Sequence, residues 1–424
     1  MGFPNQDEKN VDGKEEIVNW KKNTALYLAG QGISIFGSML VNYAIIWHVT
    51  LKTQSGSVMT VFTIAAVLPM FFISPFAGVW ADRYNRKHLI NIADACVATV
   101  TLIMAAAFFL GFEYIGLLFF CSLIRGVGQG VQHPAESALI PMIAPEAQLT
   151  RINGINSSIM SVSMLAAPML SGAILSFAPI QYIFLIDVVT AAIGISILYF
   201  LVKTPLKPKY VNTGGGFSAY VEEMKEGFGY IRGHSFILQF IFIASIYHIM
   251  ACPAELLTPL QVARNFGADV WRLTAIEVAF SAGLLTGGLI IGIWGGFKNR
   301  TYSLALSTLL FGIETILLGI ITNFWAYLAC MAAIGLVSPL FMSPMAAIFQ
   351  SRVDQDYMGR VFSVLTMIAS VMMPFGMVIF GPLSDVVSID YLLIGTGVVI
   401  ALLACPMTFS RAIREAGKQA EEIV

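Results

Sequence analysis

Charge is scarce in this chain: Asp, Glu, Lys and Arg make up 12% of its 424 residues, while 57% are hydrophobic. A soluble domain has roughly a quarter of its residues charged. These are too few to cover a water-facing surface, so the chain belongs in lipid. A net charge of −1 leaves no basic face to neutralise phosphates, which excludes a nucleic-acid partner. The five cysteines, Cys96, Cys121, Cys252, Cys330 and Cys405, are odd in number and widely spaced inside apolar segments. That pattern supports neither a disulfide framework nor a zinc site, only small apolar side chains. A Gly-Lys-Ser/Thr phosphate loop is missing, so ATP hydrolysis is not expected. No ligand spacing for a metal, haem or other cofactor occurs, nor the nucleophile–base cluster an enzyme needs. The first 23 residues are polar and mixed in charge, and the apolar run after them exceeds a signal-peptide core. That run is expected to stay as a signal anchor.

What the chain has in quantity is apolar runs near or above 20 residues, long enough to cross a bilayer. They fall near 24–50, 58–80, 88–111, 114–143, 153–178, 180–203, 236–261, 271–296, 301–321, 323–350, 360–385 and 390–410. The fold class is therefore an all-α polytopic membrane protein with twelve transmembrane helices in two six-helix, pseudo-symmetric halves. With the N-terminus inside, the outer loops hold only Lys52, Arg264 and Arg272, and Arg125 lies within a span. The other twenty of the 24 Lys and Arg fall on the inner side, which makes both termini cytoplasmic.

The expected organisation is a cytoplasmic tail (1–23), a six-helix bundle (24–203), a linker (204–235), a second bundle (236–410) and a tail (411–424). In the linker, Gly214-Gly215-Gly216 reads as a flexible joint. Phe217, Tyr220, Val221, Met224, Phe228 and Ile231 then share one helical face, as in an amphipathic helix lying on the membrane surface. It is expected to strap the halves together. A worn repeat is visible: Gly292-x-x-x-Gly296-Phe297-Lys298-Asn299-Arg300 follows span 8 as Gly78 to Arg86 follows span 2.

Between spans 2 and 3 the chain reads Gly78-Val79-Trp80-Ala81-Asp82-Arg83-Tyr84-Asn85-Arg86-Lys87. This G-x-x-x-D-R-x-x-R-K stretch resembles the signature loop of the major facilitator superfamily, and the likeness extends over nearly the whole chain. Asn19-Trp20-Lys21, Gly30-Gln31, Arg125-x-x-Gly128, Pro134-Ala135, Pro145-Glu146-x-Gln148-Leu149-Thr150 and Ile186-Asp187 narrow it further. They make the chain similar to macrolide-efflux-type drug:proton antiporters. The resemblance implies the major facilitator fold, with export of a hydrophobic or amphipathic small molecule against protons from a bacterial cell membrane. It also implies a monomer among membrane lipids. Asp82 would latch against the start of span 11 near Gly359 and Arg360, a carboxylate complementing free helix-end amides. Arg83, Arg86 and Lys87 would meet acidic groups or anionic lipid; setting topology is their other reading. Span 5 carries Ala167-Pro168-Met169-Leu170-Ser171-Gly172 where such antiporters often have G-P-x-x-G-G, which leaves the direction of coupling open.

An ionisable group at membrane depth costs roughly 2.5–3.5 kcal/mol on insertion scales. Arg125 lies about ten residues into span 4, and Gln129, Gln132 and Glu136 follow on its helix face. The stripe faces a cavity or another helix. Arg125 either serves a carboxylate or substrate, or locks helices as a structural ion pair. Gln31, Ser38 and Asn42 form a second stripe on span 1, fitted to substrate contact or to interhelical hydrogen bonding. Burial tunes a carboxylate for proton work, and Glu255 on span 7, one face with His248, ranks first for it, then Glu277 on span 8. The resemblance makes spans 3, 6 and 9 peripheral, so Asp94, Asp187 and Glu314 are expected to be structural. Glu136 is placed to pair with Arg83 or Arg86 instead.

Overall fold

The computed structural model describes residues 20–204 and 217–418. Apolar runs bounded by polar turns become long helices: α1 (Trp20–Thr53), α2 (Gly56–Arg83), α3 (Arg86–Phe109), α4 (Ile115–Ile143), α5 (Leu149–Phe177) and α6 (Gln181–Ser196). After the short α7 (Phe217–Gly233) come α8 (Ser235–Leu256), α9 (Thr258–Asn265), α10 (Val270–Trp294) and α11 (Arg300–Ile320). The chain continues through α12 (Phe324–Arg352), α13 (Gln355–Leu383), α14 (Ile389–Phe409) and α15 (Arg411–Ala416). Twelve stretches among the described residues are long and apolar enough to cross a membrane, with α8 and α9 together making the seventh. The expected all-helical, twelve-span class is therefore observed. Two local features escape hydropathy: α6 ends in a π-helical turn at Ile197–Leu201, and Leu257 separates α8 from α9, which starts with Pro259 in its first turn.

The chain folds into two compact units. One takes in residues up to Ile45 and Ala65–Phe217; the other takes in Ile46–Ile64 and everything from Ser218 onward. Segment 46–64, the end of α1 and the start of α2, thus belongs to the second unit. Asp385, just past α13, holds it there by capping α2: the carboxylate accepts from the Gly56 amide at 2.7 Å, the Ser57 amide at 2.9 Å and the Ser55 hydroxyl at 2.9 Å. Four amides at a helix start lack intrahelical partners, which is why a carboxylate seats there. Burial pushes the Asp385 carboxyl up, but the hydrogen bonds from Ser57, Gly56 and Ser55 outweigh it and hold it well below the ordinary carboxylate range. Arg264 completes the joint, 3.0 Å from Asp385 and 2.6 Å from the Ser384 carbonyl.

The repeat is visible in matched details. Asn85 caps α3 by accepting from the Lys87 amide, and Asn299 caps α11 by accepting from the Thr301 amide. The next residue ties each helix to a neighbour: Arg86 donates to the Ala138 carbonyl of α4 at 2.8 Å, and Arg300 to the Ala347 carbonyl of α12 at 3.0 Å. Close helix approach is matched too. A side chain at Gly126 in α4 would overlap the Ala66 carbonyl of α2, and one at Gly335 in α12 the Phe280 carbonyl of α10.

The linker helix α7 belongs with the second unit. Arg360 pairs with Glu226 at 2.9 Å, Tyr230 donates to Asp354 at 3.2 Å and stacks on Tyr357, and Ile231 is buried. Phe228, placed on the same apolar face from sequence, is exposed. Gly214 to Gly216 lie outside the described residues, as do the side chains of Phe217, Tyr220, Val221 and Met224.

Candidate functional site

In the first unit the polar stripes of α1 and α4 meet. Arg125 is fully buried, and its Nη1 lies 2.6 Å from Oδ2 of Asp187 on α6. The guanidinium also donates to the Thr101 hydroxyl of α3 and to the Ser38 carbonyl of α1, both at 2.9 Å. Asp187 in turn accepts from the Ser38 hydroxyl at 3.2 Å. A buried cation is tolerable only when paired and hydrogen-bonded, and here four helices meet on it. Its Nε has no partner among the described residues.

One to three turns along α4, the stripe makes a second cluster. Gln132 donates to Oδ1 of Asp94 on α3 at 3.1 Å, and the Ser34 hydroxyl of α1 reaches the same oxygen at 3.5 Å. Glu136 accepts from the side-chain amide of Gln31. Its partner is therefore an amide on α1, where the sequence allowed Arg83 or Arg86. The two clusters border one cavity of about 200 Å³, lined in part by Ser38, Asn42, Arg125, Gln129, Gln132 and Glu136. Six of the residues singled out from sequence thus come together, with Gln31 attached through Glu136. A larger crevice of about 520 Å³ opens between the first turns of α1 and α5, beside Lys21 and Arg151, and holds none of them.

The small-residue motif of α5 is packed: Ala167, Pro168 and Gly172 are buried, and Ser171 donates to the Leu40 carbonyl of α1 at 3.2 Å. In the basic loop, Arg86 also donates to the Ala81 carbonyl at 2.9 Å, and Lys87 to the Val202 carbonyl at 2.7 Å. These two cations thus close off helix-end carbonyls. Arg83 is exposed, Gly78 has open space around it, and the side chain of Asp82 lies outside what is described.

His248, Glu255 and Glu277 sit in the second unit, and none has a hydrogen-bond or ion-pair partner among the described residues. Glu255 is exposed, Glu277 is half-buried, and His248 makes an edge contact with Tyr247. Sequence reasoning missed Asp94 and Asp187 as members of the site. Their signal was present, since each is a carboxylate inside an apolar run. The resemblance points away from both, because it makes spans 3 and 6 peripheral.

A model of the Major Facilitator Superfamily matches residues 27–273. Macrolide efflux protein A of Streptococcus pyogenes is 28% identical over 397 residues, covering 93% of this chain and 97% of that protein. The Staphyloferrin A transporter of Staphylococcus aureus is 24% identical over 382 residues, covering 86% and 90%. Among solved structures, a D-xylose-proton symporter superposes with a TM-score of 0.69 at 14% identity, covering 94% of this chain and 99% of that one. Twelve membrane-spanning helices and a family match over more than half of the sequence lead to one conclusion: this chain belongs to the Major Facilitator Superfamily of multi-pass membrane transporters, and is similar to those of macrolide-efflux type.

Proposed function

We propose that the protein exports lipophilic or amphipathic compounds of macrolide-like character from a bacterial cell, driven by inward proton flow and alternating access. The observation that carries this reading is the cavity at Arg125, where the ion-paired guanidinium, the amide-held Glu136 and the Asn42, Gln129 and Gln132 side chains border one space. An ionisable group at membrane depth commonly marks a substrate or ion pathway. Similarity to Macrolide efflux protein A supports the substrate class. Both termini are taken as cytoplasmic from the basic-residue bias, and the protein as a monomer in lipid that changes no covalent bond.

A same-fold exporter of a siderophore, lysophospholipid or metabolite is the second reading. It is favoured by the similarity to the Staphyloferrin A transporter and by a buried guanidinium suited to an anionic group.

The test is macrolide accumulation in bacteria lacking their own efflux pumps, with and without a protonophore. Expression should lower accumulation at least several-fold, and the protonophore should abolish the difference. Unchanged accumulation with the protein present in the membrane rules out the macrolide class and turns the search to anionic amphiphiles.

A further inference from the structure

Of the buried carboxylates Asp94 and Asp187 and the half-buried Glu136 in the first unit, only Asp187 has a cation among the described residues. Asp187 is held by Arg125, whose other contacts are Thr101 and the Ser38 carbonyl. Asp94 and Glu136 are held by neutral groups alone: Gln132 and Ser34 for the first, Gln31 for the second, with Gln132 also within reach of Glu136. No cation among the described residues pairs with either. Gln132 donates to Asp94 and is within reach of Glu136 one turn further along α4, so a single side-chain amide brings the two carboxyls together.

Two like charges that close, away from bulk water and without a counter-cation, do not both persist. The holders fit that conclusion. A side-chain amide can donate to a carboxylate or accept from a carboxylic O–H, so Gln31 and Gln132 accommodate either protonation state without moving. Arg125 can only donate, and it fixes Asp187 as the charged member. The other ionisable groups facing the couple are Tyr27 on α1, His133 on α4 and the Arg125–Asp187 pair, whose two charges offset each other. None adds a net permanent positive charge. Glu136 and Gln132 border the cavity, which gives a proton a way in.

We infer that Asp94 and Glu136 share one proton, and that this shared proton is the ion exchanged for substrate. In the loaded state the couple carries one negative charge. Release gives the proton to water, and the doubly charged couple lasts only until a proton rebinds and restores the single charge. The inference rests on the proton-coupled reading above and assigns its carrier to α3 and α4, in place of Glu255 or Glu277.

Infrared spectroscopy of the purified full-length protein, with aspartate or glutamate isotopically labelled, tests this without any substrate. Wild type should show a carboxylic-acid carbonyl band that moves under both labels, because one proton serves both residues. In Glu136→Gln the Asp94 band should titrate at least tenfold further to the acid side, since its negative neighbour is gone; Asp94→Asn should do the same to Glu136. Glu136→Asp should keep the shared behaviour, and it carries the test if the amide variants fold poorly. Midpoints unmoved in both amide variants would make the two groups independent and overturn the inference, as would a wild type with neither residue protonated at neutral pH. Because no drug is present, a wrong substrate class leaves this result intact.

Discussion

The helix pairs α3–α4 and α11–α12 start from the same marks and differ in their interior. Asn85 and Asn299 cap the first helix of each pair, and Arg86 and Arg300 tie it to the second through Ala138 and Ala347. Nine residues past the cap, α3 has Asp94 and α11 has Thr308, whose hydroxyl is spent on the Leu304 carbonyl within its own helix. Thirteen residues before the tied carbonyl, α4 has Arg125 and α12 has Ile334, each followed by the glycine that meets a neighbouring helix. The caps, ties and glycines recur because the fold needs them. Neither Arg125 nor Asp94 has an ionisable counterpart at these two positions, although α11 buries a carboxylate of its own, Glu314, beside a core of side chains such as Phe240, Leu304, Phe349 and Val361. The matched positions of α12 and α11 are filled without a charge, by Ile334 and Thr308, so the repeat itself does not call for Arg125 or Asp94.

The comparison breaks most visibly at Arg125. Arg125→Ile, which imports the residue of α12, strands Asp187 without its cation and should cost about 3–5 kcal/mol, read as loss of thermal stability in detergent. Adding Asp187→Asn should recover most of that loss while transport stays absent. If the double variant transports, the ion pair is structural after all. The shared marks give the smaller effect. Arg86→Ala and Arg300→Ala each remove a charged donor from a helix carbonyl and should each lower stability by about 1.5–3 kcal/mol. Equal losses would sharpen the view that both ties serve the fold, whereas a loss confined to one would break the symmetry.

Much of this was legible in the sequence, because hydropathy, the basic-residue bias and helical spacing are local signals. Twelve spans emerged that way, and so did the stripe from Arg125 to Glu136, whose members share one face by periodicity alone. Partners were not legible. Asp187 reaches Arg125 only once α4 and α6 both pack against α3, and Gln31 finds Glu136 across 105 residues of sequence. The cap that Asp385 places on α2 joins residues more than 300 positions apart. Glu255 ranks first from sequence because it is a carboxylate inside an apolar span on one face with His248. The structure instead concentrates amide-held carboxylates on α3 and α4, among them Asp94, from which the resemblance points away.

The central claim is that the proton is carried in the first unit, and proton counterflow in proteoliposomes tests it directly. A macrolide gradient would be imposed across the vesicles and lumenal pH followed with a trapped dye. The account predicts counterflow for wild type and for Glu255→Gln, and none for Glu136→Gln or Asp94→Asn. Counterflow that survives both of those substitutions and disappears in Glu255→Gln would contradict it and move the carrier to α8.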